Sequence, residues 1–232
     1  PSLHDALPIS FTGNTVFYAF TLRDHIATQH SYLSWILNIG LYEKNELDID
    51  KERLRDLYWN KGYLDFKVTS IDVKETSDPE YVDVTFNLEE GEPYKVSEVS
   101  VTNNRKFTND EIIPVIKLKT DDIYDNRIER ADIESIGNLY YPLGYAEFQC
   151  KAVRIPDFKT HTVNIEYRIN EGDQFTVRNV YISGNHNTKD KVIRRELAIQ
   201  PGDPVDNNRI EASKSRLIGM DYFSKVNAVS VN

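Results

Sequence analysis

Val180-Tyr181-Ile182-Ser183-Gly184-Asn185 decides the fold, because the same pattern already stands at Val99-Ser100-Val101-Thr102-Asn103-Asn104 and at Ile9-Ser10-Phe11-Thr12-Gly13-Asn14. Asn185 lies 81 residues after Asn104, which lies 90 after Asn14. Working outward, Leu57-Tyr58-Trp59-Asn60-Lys61-Gly62-Tyr63 returns 82 residues later as Leu139-Tyr140-Tyr141-Pro142-Leu143-Gly144-Tyr145. Glu90-Gly91-Glu92-Pro93-Tyr94-Lys95-Val96 returns after 81 as Glu171-Gly172-Asp173-Gln174-Phe175-Thr176-Val177. Three markers keep one order and one period near 81, so the chain reads as a tandem array of a single unit.

Each unit reads strand, helix, helix, strand, strand, an α+β arrangement. Val99 and Val101, and later Val180 and Ile182, alternate with polar residues as a half-buried first strand does. The Gly-Asn or Asn-Asn that follows is turn chemistry, since both residues tolerate positive φ. Thr108 and Glu111 have capping-box spacing ahead of Ile112, Ile113 and Ile116, and Pro114 should shorten that helix. Val192, Ile193 and Leu197 repeat the helical spacing behind Thr188. The second helix carries Leu54, Leu57 and Tyr58 on one stripe, or Ile133, Ile136 and Tyr140, and ends at Gly62 or Gly144. Tyr63, Tyr145 and Tyr222 follow, placed to pack the helix on the sheet, and Asp221 takes the glycine position in the third unit.

The last two strands form a hairpin. Val82, Val84, Phe86 and Leu88 alternate cleanly, as do Val163, Ile165, Tyr167 and Ile169. The strand before them switches parity: Phe66 and Val68, then Ile71 and Val73; Phe148 and Cys150, then Val153 and Ile155; Val226, then Val229 and Val231. Such a step predicts a β-bulge, and bulges concentrate at sheet edges, so this strand is expected at an edge. From Asp173 the third unit has 60 residues against a period of 81, which leaves it without its final strand and suggests a fragment of a longer polypeptide.

Composition narrows the chemistry. With 28 Lys+Arg against 37 Asp+Glu, the net charge is −9 and the pI about 5.1, the wrong sign for a phosphate-backbone binder. One cysteine, Cys150, excludes an internal disulfide and a multi-cysteine metal site. Its alternation with Phe148 makes it an apolar strand residue rather than a nucleophile. His25 and His30 are five apart, not the four that places two ligands on one helical face, and His4, His161 and His186 are scattered. No P-loop, dinucleotide fingerprint or Gly-x-Ser-x-Gly occurs, and the abundant carboxylates fall on helix faces and turns. No run approaches 18 apolar residues, and Pro1–Ser10 has no signal-peptide pattern. Neither a cofactor nor an enzymatic role is expected. Trp35 and Trp59 are candidate contact-surface residues.

The order and common period of these motifs resemble POTRA domains, as found in the periplasmic part of outer-membrane assembly factors of the BamA family. The resemblance runs from Ile9 to Asn232 and suggests units at residues 9–92, 93–172 and 173–232, similar to the third, fourth and a truncated fifth POTRA domain; Pro1–Pro8 fits no family pattern. The repeat itself rests on Gly13, Asn14, Gly62, Tyr63, Gly91, Gly144, Tyr145, Gly172, Gly184 and Asn185. The implied fold is a three-stranded mixed sheet packed on two helices per unit. The implied role is a scaffold at the periplasmic face of the outer membrane, joined to a C-terminal membrane β-barrel, that receives unfolded outer-membrane proteins and docks accessory lipoproteins. An exposed sheet edge suits that role, because its unpaired N–H and C=O groups bind an extended chain without demanding a sequence. The candidate edge is Phe66, Lys67, Val68, Thr69, Ser70, Ile71, Asp72 and Val73, where polar Thr69 and Ser70 leave the margin open; Lys67 and Lys74 oppose this. Two other readings compete: a related polypeptide-secretion or translocation-and-assembly barrel protein, and a purely structural spacer.

Overall fold

The computed structural model describes residues 9–26, 44–75, 82–223 and 225–228. They fall into two compact units, one drawn from Pro1–Glu98, Leu118–Ile128 and Ile155–Asn164, the other from Val99–Lys117, Glu129–Arg154 and Ile165–Asn232.

The first sheet contains β1 (Ile9–Thr12), β2 (Lys67–Glu75) and β3 (Val82–Glu89) in the order β1-β3-β2. β1 runs parallel to β3, pairing Ile9 with Val84 and Phe11 with Phe86, whereas β2 is antiparallel to β3. A parallel pair needs a long crossover, and the chain between β1 and β3 includes α1 (Ala19–His25) and α2 (Lys44–Trp59). The expected stripe is buried: Leu54 and Tyr58 of α2 join Leu22 of α1 against Ile9, Val84, Phe86 and Leu88. Tyr58 stacks on Phe66 with ring centroids 3.9 Å apart and takes Phe17 edge-on at 5.0 Å. Aromatic burial of this kind carries much of a small domain's stability.

The second sheet repeats the order, with β4 (Lys95–Thr102), β5 (Gln149–Asp157) and β6 (Thr162–Asn170) arranged β4-β6-β5. Val163, Ile165, Tyr167 and Ile169 of β6 are all buried, as their alternation requires. α3 (Asn109–Ile112) stops where Pro114 enters a 3-10 turn, Ile113–Val115, and its first turn is held by the Glu111 carboxylate, which accepts from the Thr108 N–H at 2.8 Å and hydroxyl at 2.9 Å. α4 (Asn126–Tyr140) runs into a second 3-10 turn that Gly144 closes at φ 93°.

In the third repeat α5 (Asp190–Arg194) and α6 (Asn207–Gly219) form, with Asp206 capping α6 through the N–H groups of Asn208 and Arg209. Two expectations fail here. Val180 and Ile182 are half-buried, yet Val180–Ile182 makes no ladder among the described residues. β1 takes its ladder from β3, the last strand of its repeat, and no counterpart of β3 stands among the described residues of the third. Tyr222 is 68% exposed rather than packed. Asp221 does adopt the glycine-like conformation, at φ 57°. Trp35, His4, His30, Val229 and Val231 lie outside the described residues.

Candidate functional site

β2 lies at the margin of its sheet, and among the described residues no strand pairs with its outer side. Its register against β3 reads Lys67 with Glu89 and Val68 with Leu88, then skips to Ser70 with Asn87, so Thr69 is the extra residue of a bulge. The parity step in the sequence is therefore a real insertion. Phe66 stands one residue before the strand and is buried beneath Tyr58, where it anchors the margin without forming part of it. Val68 and Ile71 are half-buried, Thr69, Ser70 and Asp72 exposed, and Val73 is 44% exposed. Lys67 reaches back to Glu89 at 2.8 Å, which directs its charge along the sheet. The matching strand β5 carries Pro156, which has no N–H to offer, so the two margins differ chemically.

A polar ladder on the open face steadies this margin. Ser10 and Thr85 share a hydrogen bond of 2.8 Å, and the Thr12 hydroxyl donates to Asn87 Oδ1 at 2.6 Å. Asn87 Nδ2 donates to Ser70 Oγ at 2.7 Å and Asp72 Oδ2 at 2.9 Å, while the Thr69 hydroxyl donates to the Asn87 carbonyl at 3.0 Å.

Beneath the sheet is a device that sequence reasoning missed. Glu90, 8% exposed, accepts from the N–H of Thr15 at 2.9 Å and of Val16 at 3.1 Å, from the Thr15 hydroxyl, and from the Tyr58 hydroxyl at 2.6 Å. Glu171 repeats it, accepting from Arg105 and Lys106 N–H at 2.7 and 2.8 Å and from Tyr140 at 3.1 Å. Burial pushes both carboxyls up, but these hydrogen bonds outweigh it and hold each below the usual glutamate range. Burial first, and the facing carboxylate second, push the Tyr58 hydroxyl far above its ordinary value. The signal was present in the repeated Glu-Gly pair. The asparagine of each turn does a further job: Asn14, Asn104 and Asn185 donate their side-chain N–H to the carbonyls of Phe17, Phe107 and Thr188 at 3.0, 2.8 and 3.0 Å.

The two helix-ending glycines are closely covered. In the first unit the Gly62 carbonyl accepts the Tyr94 N–H at 2.9 Å, and a Cβ at Gly62 would come within 2.7 Å of Ile123 Cγ2. In the second, the Gly144 carbonyl accepts the Phe175 N–H at 2.8 Å, and a Cβ would sit 2.5 Å from the Phe175 carbonyl oxygen. Around them Tyr124 N–H reaches Tyr94 O at 2.9 Å and Val205 N–H reaches Phe175 O at 3.0 Å, so the same clasp is built twice. Tyr63 and Tyr145 pack edge-on to Tyr58 and Tyr140. Trp59 is half-buried with the Arg55 guanidinium 4.9 Å above its ring.

Among the described residues no group of three or more His, Cys, Asp or Glu is placed to hold a metal ion, and no helix is long and apolar enough to cross a membrane. Cys150 is half-buried on β5, and burial, with Glu129 nearby, pushes its thiol up to about 12.

The POTRA family model, described as a surface antigen variable number repeat, matches the sequence three times, over residues 8–91, 94–172 and 175–232. This chain belongs to the POTRA family. Among its relatives, the outer membrane protein assembly factor BamA of Neisseria meningitidis is 26% identical over 220 residues, covering 94% of this chain and 28% of the relative. BamA of Buchnera aphidicola is 26% identical over 220 residues, covering 95% of this chain and 35% of the relative. The POTRA chain thus spans about a third or less of the curated relatives it matches. The crystal structure of Haemophilus influenzae BamA POTRA3-5 superposes with a TM-score of 0.75 at 22% identity, covering 95% of this chain and 87% of that one, which shows a shared POTRA fold.

Proposed function

We propose that these POTRA units are the periplasmic, non-enzymatic part of an outer-membrane protein assembly factor, divided at residues 9–92, 93–172 and 173–232. They take unfolded outer-membrane proteins along the β2 margin by strand addition, dock accessory lipoproteins, and lead to a C-terminal β-barrel of the same polypeptide. The similarity to BamA relatives supports the setting. One observation supports the chemistry: β2 is a bulged marginal strand whose outer N–H and C=O groups meet no described strand. Affinity at one margin is expected to be low, which suits a site that passes clients on.

Titrating the 15N-labelled chain with a peptide copied from a barrel strand tests this. Amide shifts should gather on β2, whereas shifts scattered away from every sheet margin would overturn strand addition. The repeated clasps at Gly62 and Gly144 favour one other reading, a rigid spacer. That reading requires Val73→Pro, once its folding is confirmed, to leave outer-membrane assembly intact; loss of assembly favours the client site.

A further inference from the structure

We propose that Asn87 sets the register of strand addition. It holds the bulge at Thr69, confines an incoming ladder to Ser70–Glu75, and so selects a short extended segment that alternates apolar and polar side chains. The inference rests on the client-binding reading above and deepens it.

All the hydrogen-bonding capacity used at this point belongs to one residue. A primary amide has one carbonyl oxygen and two N–H groups. The Asn87 side chain spends its oxygen on Thr12 of β1 and its nitrogen on Ser70 and Asp72 of β2. Its backbone carbonyl takes the hydroxyl of Thr69, the inserted residue itself. Asn87 also sits at the register step, paired with Ser70 while Leu88 pairs with Val68. It therefore grips both the extra residue and the two polar residues that follow.

The bulge has a consequence on the outer side of β2. In a regular strand, alternate residues turn their N–H and C=O groups to alternate sides. An inserted residue shifts that alternation, so the outward groups before and after Thr69 are out of phase. A regular incoming strand cannot pair with both. Before the bulge β2 offers only Lys67 and Val68; after it come the six residues Ser70–Glu75. A stretch of that size matches the commonest strand length of about 5–6 residues. Along it the core side shows Ile71 and the partly exposed Val73, and the solvent side shows Ser70 and Asp72. A client strand laid there meets apolar neighbours at Ile71 and Val73 and polar ones at Ser70, Asp72 and Lys74, which is the alternation of a segment bound for a membrane β-barrel.

The test uses the full chain labelled with 15N and an N-acetylated octapeptide of alternating valine and threonine with a nitroxide at its C-terminus. With the unaltered chain, shifts should be confined to Ser70–Glu75, and paramagnetic broadening should fall at one end of that stretch. In Asn87→Ala the one-ended broadening should be lost, with effects spreading to Lys67 and Val68. Asn87→Asp has the same size and still accepts from Thr12, but lacks the two N–H donors and faces Asp72 with a charge; it should lose the one-ended pattern as well. One-ended broadening retained in these variants, with their spectra folded, overturns the role of Asn87 while the client site stands. Absence of any shift on β2 in the unaltered chain overturns the client site and this inference together.

Discussion

The Tyr58 hydroxyl donates to the Glu90 carboxylate at 2.6 Å, and Tyr140 stands in the same relation to Glu171 at 3.1 Å. Each acid lies just after the last strand of its repeat, each tyrosine near the end of the second helix, and each carboxylate also caps the loop after the first strand. One carboxylate, buried at Glu90 and half-buried at Glu171, thus ties three sequence-distant segments together. Bonds to a charged group in a dry site are stronger than neutral ones, and removing one partner strands the other.

Tyr58→Phe should lower the unfolding free energy by about 1.5–3 kcal/mol, the range for hydrogen bonds to charged groups. Glu90→Ala should lower it further, because the N–H groups of Thr15 and Val16 lose their acceptor too. Urea unfolding followed by circular dichroism reads both, with Glu90→Gln falling between unaltered chain and alanine variant.

The same acids make stability depend on pH. Glu90 and Glu171 are held below their ordinary value of 4.5, so the folded chain binds fewer protons than the unfolded one in that region. Their contribution is complete above the unfolded value and is lost as pH falls through the lower folded value. The thermal midpoint should therefore drop as the solution is acidified below 4.5, and the drop should be shallower in a Glu90→Gln, Glu171→Gln double variant.

Alanine at Gly62 or Gly144 should cost more than alanine at Gly184, although all three have positive φ. At Gly184 nothing lies within 4 Å of an added Cβ, which leaves only left-handed strain of about 1–2 kcal/mol. At Gly144 the Cβ would also press on the Phe175 carbonyl at 2.5 Å and displace the Phe175 N–H bond. Hydrogen exchange should show early loss of protection at Tyr94 in Gly62→Ala and at Phe175 in Gly144→Ala.

Cys150 should be a poor nucleophile in the folded state. With its thiol raised from 9.0 to about 12, its thiolate fraction at neutral pH falls by roughly 10³, before any steric shielding. Labelling with a disulfide reagent should be slowed at least that much relative to the urea-unfolded chain. Comparable rates in both states would remove Cys150 from its half-buried strand position.

Much of this architecture was legible in residue spacing. The bulge followed from the step between Val68 and Ile71, and the sharp turn at Asp221 followed from its alignment with Gly62 and Gly144, because both are local backbone demands. The carboxylates of Glu90 and Glu171 were not legible as ties between segments. Glu90 precedes a glycine in a chain with 37 acidic residues, and a solvated turn accounts for any one of them until the loop at Thr15 and the helix at Tyr58 converge on it. Asn87 was hidden for the same reason, since its partners come from β1 and β2, up to 75 residues away. The failures at Val180–Ile182 and Tyr222 show the limit from the other side: alternation and aromatic placement prepare a strand and a packing residue, but a strand needs a partner.

By itself, then, the sequence determined the repeat, its element order, its turns and the irregular margin strand, all of which arise from interactions along a few consecutive residues. Tertiary structure decided which acids are buried and depressed, which glycines are clasped, and which amide grips the bulge. Those depend on groups brought together across the fold, where the loss of water makes each hydrogen bond count for more than its place in the chain reveals.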